Sequence, residues 1–452
     1  MSDSLQHDSI NRAFWRYAIP SIVAMLASGL YQVIDGIFVG HYVGAAGLAG
    51  INMVIPILCV MIGSGLLIGI GAGTLYSQAR GEGDSHRSRD VIRTAMILIV
   101  VLGIANAGLL TLIAEPMLAL QGAQGQPLQL AHEYLLVLMF GSVLTVASGA
   151  LPILVRNDDS PNFATGFIAA GAVANIGLDY LFLGPLNMGL KGAAIATLMA
   201  QAVTVTLSLW YFASRHSEVQ LSKGRWHSQL ALNSASLGSS TMVMFGYFAF
   251  IMALHNKLFA DYGSATHIAA FAIVGYIASL YYFVTEGVAN GMQPLASYYY
   301  GAKRYRHIAH TLGLALTIAV GLGIVVTGVL NLNPSAVVAL FNGSDPLLGQ
   351  LAEAGIRQHL LALCLDGLLF VASIYFVSIG MAGKAMFVSL GNLLIQVPFL
   401  WFLPQIWGID GIWLSVPLSN VALCSVVVPM LLHSLYQLKQ QLPADTALQP
   451  TG

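Results

Sequence analysis

Two carboxylates stand in long apolar runs, each with an oxygen-bearing neighbour at helical spacing. The stretch YQVIDGIFVG, residues 31–40, holds Asp35, and NIGLD, residues 175–179, holds Asp179. Tyr31 and Asp35 are four residues apart, as are Asn175 and Asp179, so each pair shares a helix face. One face then offers phenol plus carboxylate, the other amide plus carboxylate. No Lys or Arg lies within one helical turn of either acid. An acid inside a bilayer costs about 2.5–3.5 kcal/mol on insertion scales, and such residues mark ion or proton paths. Desolvation penalises the charged form, and two neighbouring carboxylates titrate as one unit. A pair of this kind can hold a proton and release it when a cation arrives. Asp35, Asn175, Asp179 and Thr197 also supply the hard oxygens that sodium favours. The plainer alternative, that both acids are solvated or backbone-capped helix ends, stays open at this point.

The elements that must position these groups are membrane helices. The 452-residue chain is 57% hydrophobic and 8% charged, with net charge -1; soluble domains carry about 25% charged residues. That balance points to a polytopic membrane protein, all-α, and gives no reason to expect nucleic acid as a partner. The polar first twenty residues lack a basic region before a short apolar core, so no cleaved signal peptide is expected. Cys59, Cys364 and Cys424 sit in apolar runs and imply no disulfide framework. A span needs roughly 20 mostly apolar residues. Twelve fit, near 14–39, 46–75, 91–114, 131–154, 161–184, 190–214, 232–258, 266–298, 309–331, 356–380, 385–406 and 411–436. On this count only Lys191, Lys257 and Arg357 lie on one side, and the other fifteen of the 18 basic residues lie on the side of the termini. The positive-inside rule then makes both termini cytoplasmic. Asp35, Asp179 and Thr197 fall at one depth, near the outer ends of spans 1, 5 and 6.

The chain also repeats. GAGTLYSQARG at 71–81 and GMQPLASYYYG at 291–301 both read G-x5-S-x3-G, 220 positions apart, each ending a long span before a basic loop. Weaker matches near the same offset join the segments starting at Gly192 and Gly411, and at Gly44 and Gly263. Two halves of six spans are expected: an N-terminal lobe over 1–222 and a second lobe over 223–452, joined by the polar stretch 215–231. An even span number makes the repeat parallel, with a pseudo-two-fold axis along the membrane normal, as in transporters. Gly65, Gly69 and Gly73 suit close helix packing. Pro20 should bend span 1 and could move Asp35 between two states. Gln32, Met139 and Met199 are candidates for lining a substrate cavity. Glu286 and Asp366 have no first-half counterpart by offset and read as structural. His255 reads as an interfacial histidine near Lys257 and the end of its span. No nucleotide-binding G-x4-G-K-[ST] loop, nucleophile–base pair or HExxH-like motif occurs, so neither an ATP-driven pump nor an enzyme is expected, and no cofactor or bound metal.

At this point PSIVAMLASGLYQVIDGIFVG resembles the first span of multidrug and toxic compound extrusion (MATE) transporters. VRNDDSPNFA, NIGLDYLFL and GLKGAAIAT resemble that family's loop, fifth span and sixth span. SQARGEGD and SYYYGAKR resemble its paired loops, and the likeness covers essentially the whole chain, most like the DinF-like branch. The resemblance implies a V-shaped pair of six-helix lobes in a bacterial inner membrane, working as a monomer. It implies export of small cationic drugs or toxins, coupled to a proton or sodium gradient. Carried over by motif, Asp35 is the main protonation site; Asn175, Asp179, Thr197, Tyr31 and Tyr134 complete its network; Pro20 is the bending point. The NorM-like branch uses acids in spans 7 and 10. Here span 7 has no acid before Asp261, and Lys384 stands where that branch has one, which favours coupling through the first lobe. A proton antiporter is the leading expectation. Sodium coupling, or a lipid-intermediate flippase of the same superfamily, is the alternative.

Overall fold

Backbone groups in hydrocarbon must be satisfied internally, and a chain this apolar meets that demand with helices. The computed structural model describes residues 9–120, 125–219, 224–339 and 345–441, and among these there is no strand. Fifteen helices follow in order: α1 (Ile10–Tyr42), α2 (Ala45–Glu82), α3 (Ser85–Leu120), α4 (Gly125–Phe140), α5 (Ser142–Asn157), α6 (Pro161–Leu183), α7 (Gly189–Ala213), α8 (Ser228–Tyr262), α9 (Ala265–Gly301), α10 (Tyr305–Leu332), α11 (Pro334–Val338), α12 (Pro346–His359), α13 (Leu363–Ser378), α14 (Ala382–Trp407) and α15 (Ile409–Gln440). Ten are long and apolar enough to cross a membrane alone. Two bent pairs, α4–α5 at 64° and α12–α13 at 51°, bring the number to twelve if each is one span. The twelve expected spans fall on these helices. Side chains such as Leu112 and Val173 are more than 70% exposed, as a surface facing lipid requires.

The repeat is visible in the helix boundaries. The pairs Ile10/Ser228, Ala45/Ala265, Ser85/Tyr305, Gly125/Pro346, Pro161/Ala382 and Gly189/Ile409 start 218 to 221 positions apart. The bent span is the fourth of each half. In the first half the bend falls at Gly141, which packs against the Leu198 side chain.

Of the described residues, 19–249 form one compact unit and 9–18 with 250–441 form the other. The divisions fall inside helices, after Ala18 in α1 and after Ala249 in α8. The boundary expected between 222 and 223, with Lys223 and part of the 215–231 stretch, lies outside the described residues. The first unit is organised around a buried cluster that includes Val39 of α1, Val54 and Ile57 of α2, Leu110 of α3, Tyr134 and Leu138 of α4, Leu183 of α6 and Ala193 of α7. These residues hold the end of the unit where Asp35 and Asp179 sit.

A candidate ion-coupling site in the first unit

Helix ends set the depth of the site. Asp35 lies seven residues before the end of α1, Asp179 four before the end of α6, and Thr197 eight after the start of α7. At 1.5 Å per residue these are roughly 10, 6 and 12 Å from one face of the unit. Tyr134 reaches the same region from α4.

The expected residues do come together. The Asp35 and Asp179 carboxyl groups meet side chain to side chain, and the field of both acids reaches Tyr31 and Tyr134. Tyr134 lies against the Thr197 hydroxyl, and Tyr31 against the side chain of Gln32. Asp179 is 0% exposed and Asn175 2% exposed, while Asp35 is half-buried. Among the described residues, both oxygens of Asp179, Oδ1 of Asp35 and both polar atoms of the Asn175 amide are buried without a hydrogen-bond partner of normal geometry. Buried polar atoms are paired in nearly all folded proteins, and a cluster of unpaired ones marks a place where structure is subordinate to chemistry. The reading of these acids as solvated helix ends does not fit Asp179. Two like charges in a low-dielectric site repel, so the arrangement favours a shared proton or a bound cation.

The cavity candidates divide. Gln32 is exposed, Met199 is 46% exposed, and Met139 packs half-buried against the core cluster. Pro20 sits within α1, which stays helical through it. Its carbonyl accepts a hydrogen bond from Thr165 Oγ1 of α6 at 2.7 Å, a contact that sequence spacing had no means of indicating.

In the second unit, Asp366 of α13 is fully paired. Asn420 Nδ2 of α15 donates to its Oδ1 at 2.6 Å, and the Tyr282 hydroxyl of α9 donates to its Oδ2 at 3.2 Å. Lys384 lies over the Phe376 ring at 5.6 Å. His255 packs inside the second unit. It is 0% exposed, stacks on Phe271 at 5.0 Å and stands edge-to-face with His359 at 5.6 Å, with Nδ1 on the Ile251 carbonyl at 2.9 Å. Its sequence neighbour Lys257 points to a different face of α8 and extends outward to Asp261 at 3.1 Å.

At the opposite end of the first unit lies a polar knot whose residues, Tyr211 and Glu218 apart, the sequence marked only as motif. The Tyr76 hydroxyl donates to Asp158 Oδ1, and the Tyr211 hydroxyl lies 3.0 Å from Asp158 Oδ2. Ser77 Oγ donates to Asn157 Oδ1 at 2.7 Å, and Arg80 reaches the Asn157 carbonyl at 3.0 Å and Glu218 at 3.1 Å. Burial raises the Asp158 carboxyl above the usual carboxylate range, against the pull of Tyr76 and Arg80. The knot ties the ends of α2, α5 and α7 and so holds the frame on which the acids are mounted.

Known proteins carry the same frame. The multidrug export protein MepA of Staphylococcus aureus is 21% identical over 438 residues, 96% of each chain, and that of Staphylococcus haemolyticus is 22% identical over 98% of this chain and 97% of its own. A crystal structure of a MATE protein in complex with MaL6 superposes with a TM-score of 0.91 at 22% identity, covering 98% of this chain and 100% of that one. The MatE family model matches residues 20–181 and 228–402, which takes in α1 beyond Pro20, the acid pair and its amide, and the paired acid of the second unit. With twelve spans in two repeated halves and this match over both, the chain belongs to the MatE family.

Proposed function

We propose that the protein exports amphipathic organic cations from the cytoplasm by proton antiport across a bacterial inner membrane, as a monomer with both termini inside. The observation that carries this reading is the meeting of Asp35 and Asp179 with unpaired buried oxygens. The staphylococcal relatives are named as multidrug export proteins, and that substrate class suits an acidic site. On the outside a proton joins the Asp35–Asp179 pair, which already shares one, and by neutralising it removes its attraction for the organic cation. Asn175, Thr197, Tyr31 and Tyr134 accommodate the neutral pair by reorienting hydroxyl and amide groups. Bending of α1 at Pro20 then changes access to the site. On the inside the proton leaves and the pair again attracts a cation. The proton shifts the equilibrium only by its differential affinity for the two states.

The all-oxygen set around Asp179 supports a second reading, in which sodium takes the proton's place. Proteoliposomes separate the two. Uptake of ethidium driven by an imposed pH gradient, with no sodium present, is the expected result. Uptake that follows a sodium gradient and ignores pH refutes the proton scheme. Scrambling of lipid without drug or ion gradient would instead fit a flippase.

A further inference from the structure

The helices in which the chain passes from one compact unit to the other, α1 and α8, are each held at their starts by the same two-part device. The first part is a glycine seat. A Cβ on Gly71 of α2 would stand 1.9 Å from the Ser234 carbonyl oxygen of α8, and one on Gly238 of α8 would stand 1.8 Å from the Leu67 carbonyl oxygen of α2. A Cβ on Gly291 of α9 would stand 2.6 Å from Ala18 Cα and 2.9 Å from Ala18 N of α1. These are backbone atoms, so no side chain can swing aside. Gly71 and Gly291 are 220 positions apart, and so are Ala18 and Gly238. The second part is a polar tether just ahead of each seat. Asp90 of α3 accepts from Arg225 N at 2.7 Å and meets His227 Nε2 at 3.0 Å. His310 Nε2 of α10 lies 2.8 Å from Asn11 Oδ1. Asp90 and His310 are again 220 apart. Both partners of the α8 device lie in the first unit, and both partners of the α1 device lie in the second.

The internal repeat accounts for the duplication, and what it leaves to explain is where on the two helices the contacts fall. Gly36 and Gly246, which lie further along the same two helices, meet nothing within 4 Å. The glycine contacts described above lie at the starts of the two helices, short of where the chain changes unit: Gly291 bears on Ala18, the last residue of its unit before Ile19 and Pro20. A glycine seat lets the two backbones approach closely, with no side chain on the glycine to interlock.

We propose that Gly71, Gly238 and Gly291, with Asp90 and His310, form a duplicated latch on α8 and α1 whose release and re-engagement is a step of the transport cycle. These are positioning residues; none touches the acid pair. The proposal rests on the export reading above.

The test uses the full-length protein with Cys59, Cys364 and Cys424 replaced by alanine and Ser234→Cys, 1% exposed beside the first seat, as a reporter of N-ethylmaleimide access. Gly71→Val and Gly291→Val should each slow ethidium efflux by about tenfold or more, because a side chain that excludes one state shifts a two-state balance by its full energetic cost. Gly71→Val should also speed labelling of the reporter, with ethidium binding retained. Asp90→Ala and His310→Ala, which remove only the tethers, should give the same pattern in weaker form and match each other. Gly246→Ala should change neither readout. Wild-type efflux with a shielded thiol in both valine variants overturns the latch. Should the valine variants not accumulate, the reporter is read with the native glycines: labelling that responds to ethidium and a pH gradient supports the latch, and labelling indifferent to both overturns it. Failure of the unsubstituted protein to move ethidium refutes the export reading instead, since labelling needs no export.

Discussion

The two units each place an acid deep among membrane helices, and they treat it in opposite ways. Asp366 of the second unit has both oxygens occupied, one by the Asn420 amide and one by the Tyr282 hydroxyl. Asp35 and Asp179 of the first unit face each other, with an unpartnered amide at Asn175 beside them. A carboxylate that accepts hydrogen bonds from fixed donors is already solvated by the protein and gains little from a further ligand. Two carboxylates that lack donors are destabilised until a proton or cation arrives. The presence of an acid in a span therefore says less about coupling than the state of its oxygens does. The proposed coupling is placed on the first unit because its acids are the ones left unsatisfied.

Breaking the first side of this contrast should produce the largest effect. Asp35→Asn keeps the shape of the side chain and removes its titration. Efflux of ethidium should fall roughly a hundredfold or more, the scale on which a positioned proton-transfer group contributes. Protein level and thermal stability should hold or rise, since a like-charge contact has gone. Normal efflux by this variant removes Asp35 from the mechanism. Asp179→Asn should cost about tenfold, because Asp35 keeps a titrating group while losing the neighbour that couples to it. Its signature is in binding: the pH dependence of ethidium affinity should flatten toward that of a single carboxylate, measured by fluorescence titration between pH 5 and pH 9 as a roughly one-proton curve.

A smaller loss is expected one step from the acids. Thr165 and Asp179 are fourteen residues apart on α6, and Pro20 and Asp35 are fifteen apart on α1. The two helices thus meet at both ends of a segment of roughly 21–23 Å, by hydrogen bond at one end and by carboxyl contact at the other. Thr165→Val removes the hydrogen bond to the Pro20 carbonyl and keeps the volume. A hydrogen bond of this kind is worth about 1 kcal/mol, so efflux should change no more than about fivefold. Thr165→Ser, which restores the donor, should recover it. Failure of serine to rescue would show that the methyl group, not the hydroxyl, matters at this position.

Much of this was legible in the residues. Apolar run length and the spread of basic residues sufficed for twelve spans, because both are direct consequences of the bilayer. The repeat was legible from Gly71 and Gly291, since backbone contact tolerates only glycine there. Asp35 and Asp179 stood out because charge in a span is costly. What stayed hidden has a common cause. The polar knot around Asp158, the Thr165 contact and the burial of His255 all depend on which helix lies opposite, and a single chain's periodicity carries no record of that. The division of α1 after Ala18 and α8 after Ala249 is likewise set by packing partners, since both helices read as uninterrupted apolar spans.

The smallest effect on transport, and the sharpest check on the contrast, belongs to Asp366→Asn. The new amide can still accept from Asn420 through its oxygen, and its NH2 group can donate to the Tyr282 hydroxyl, which turns to accept. Both hydrogen bonds survive but lose their charged acceptor, which costs about 1–2 kcal/mol of stability. Thermal unfolding in detergent should therefore shift down, while ethidium efflux at a temperature well below the transition should stay within about twofold of wild type, since surviving folded molecules keep an intact first unit. Replacing a partner should reproduce the pattern: Tyr282→Phe lowers stability by more than Asp366→Asn, because it leaves a buried carboxylate oxygen unpaired where the amide keeps both contacts. Stability and transport would then separate, with Asp35 and Asp179 governing transport and Asp366 governing stability. An Asp366→Asn protein that melts like wild type yet has lost export would reverse that assignment, and would make the occupied acid, against the argument from its oxygens, a member of the coupling machinery.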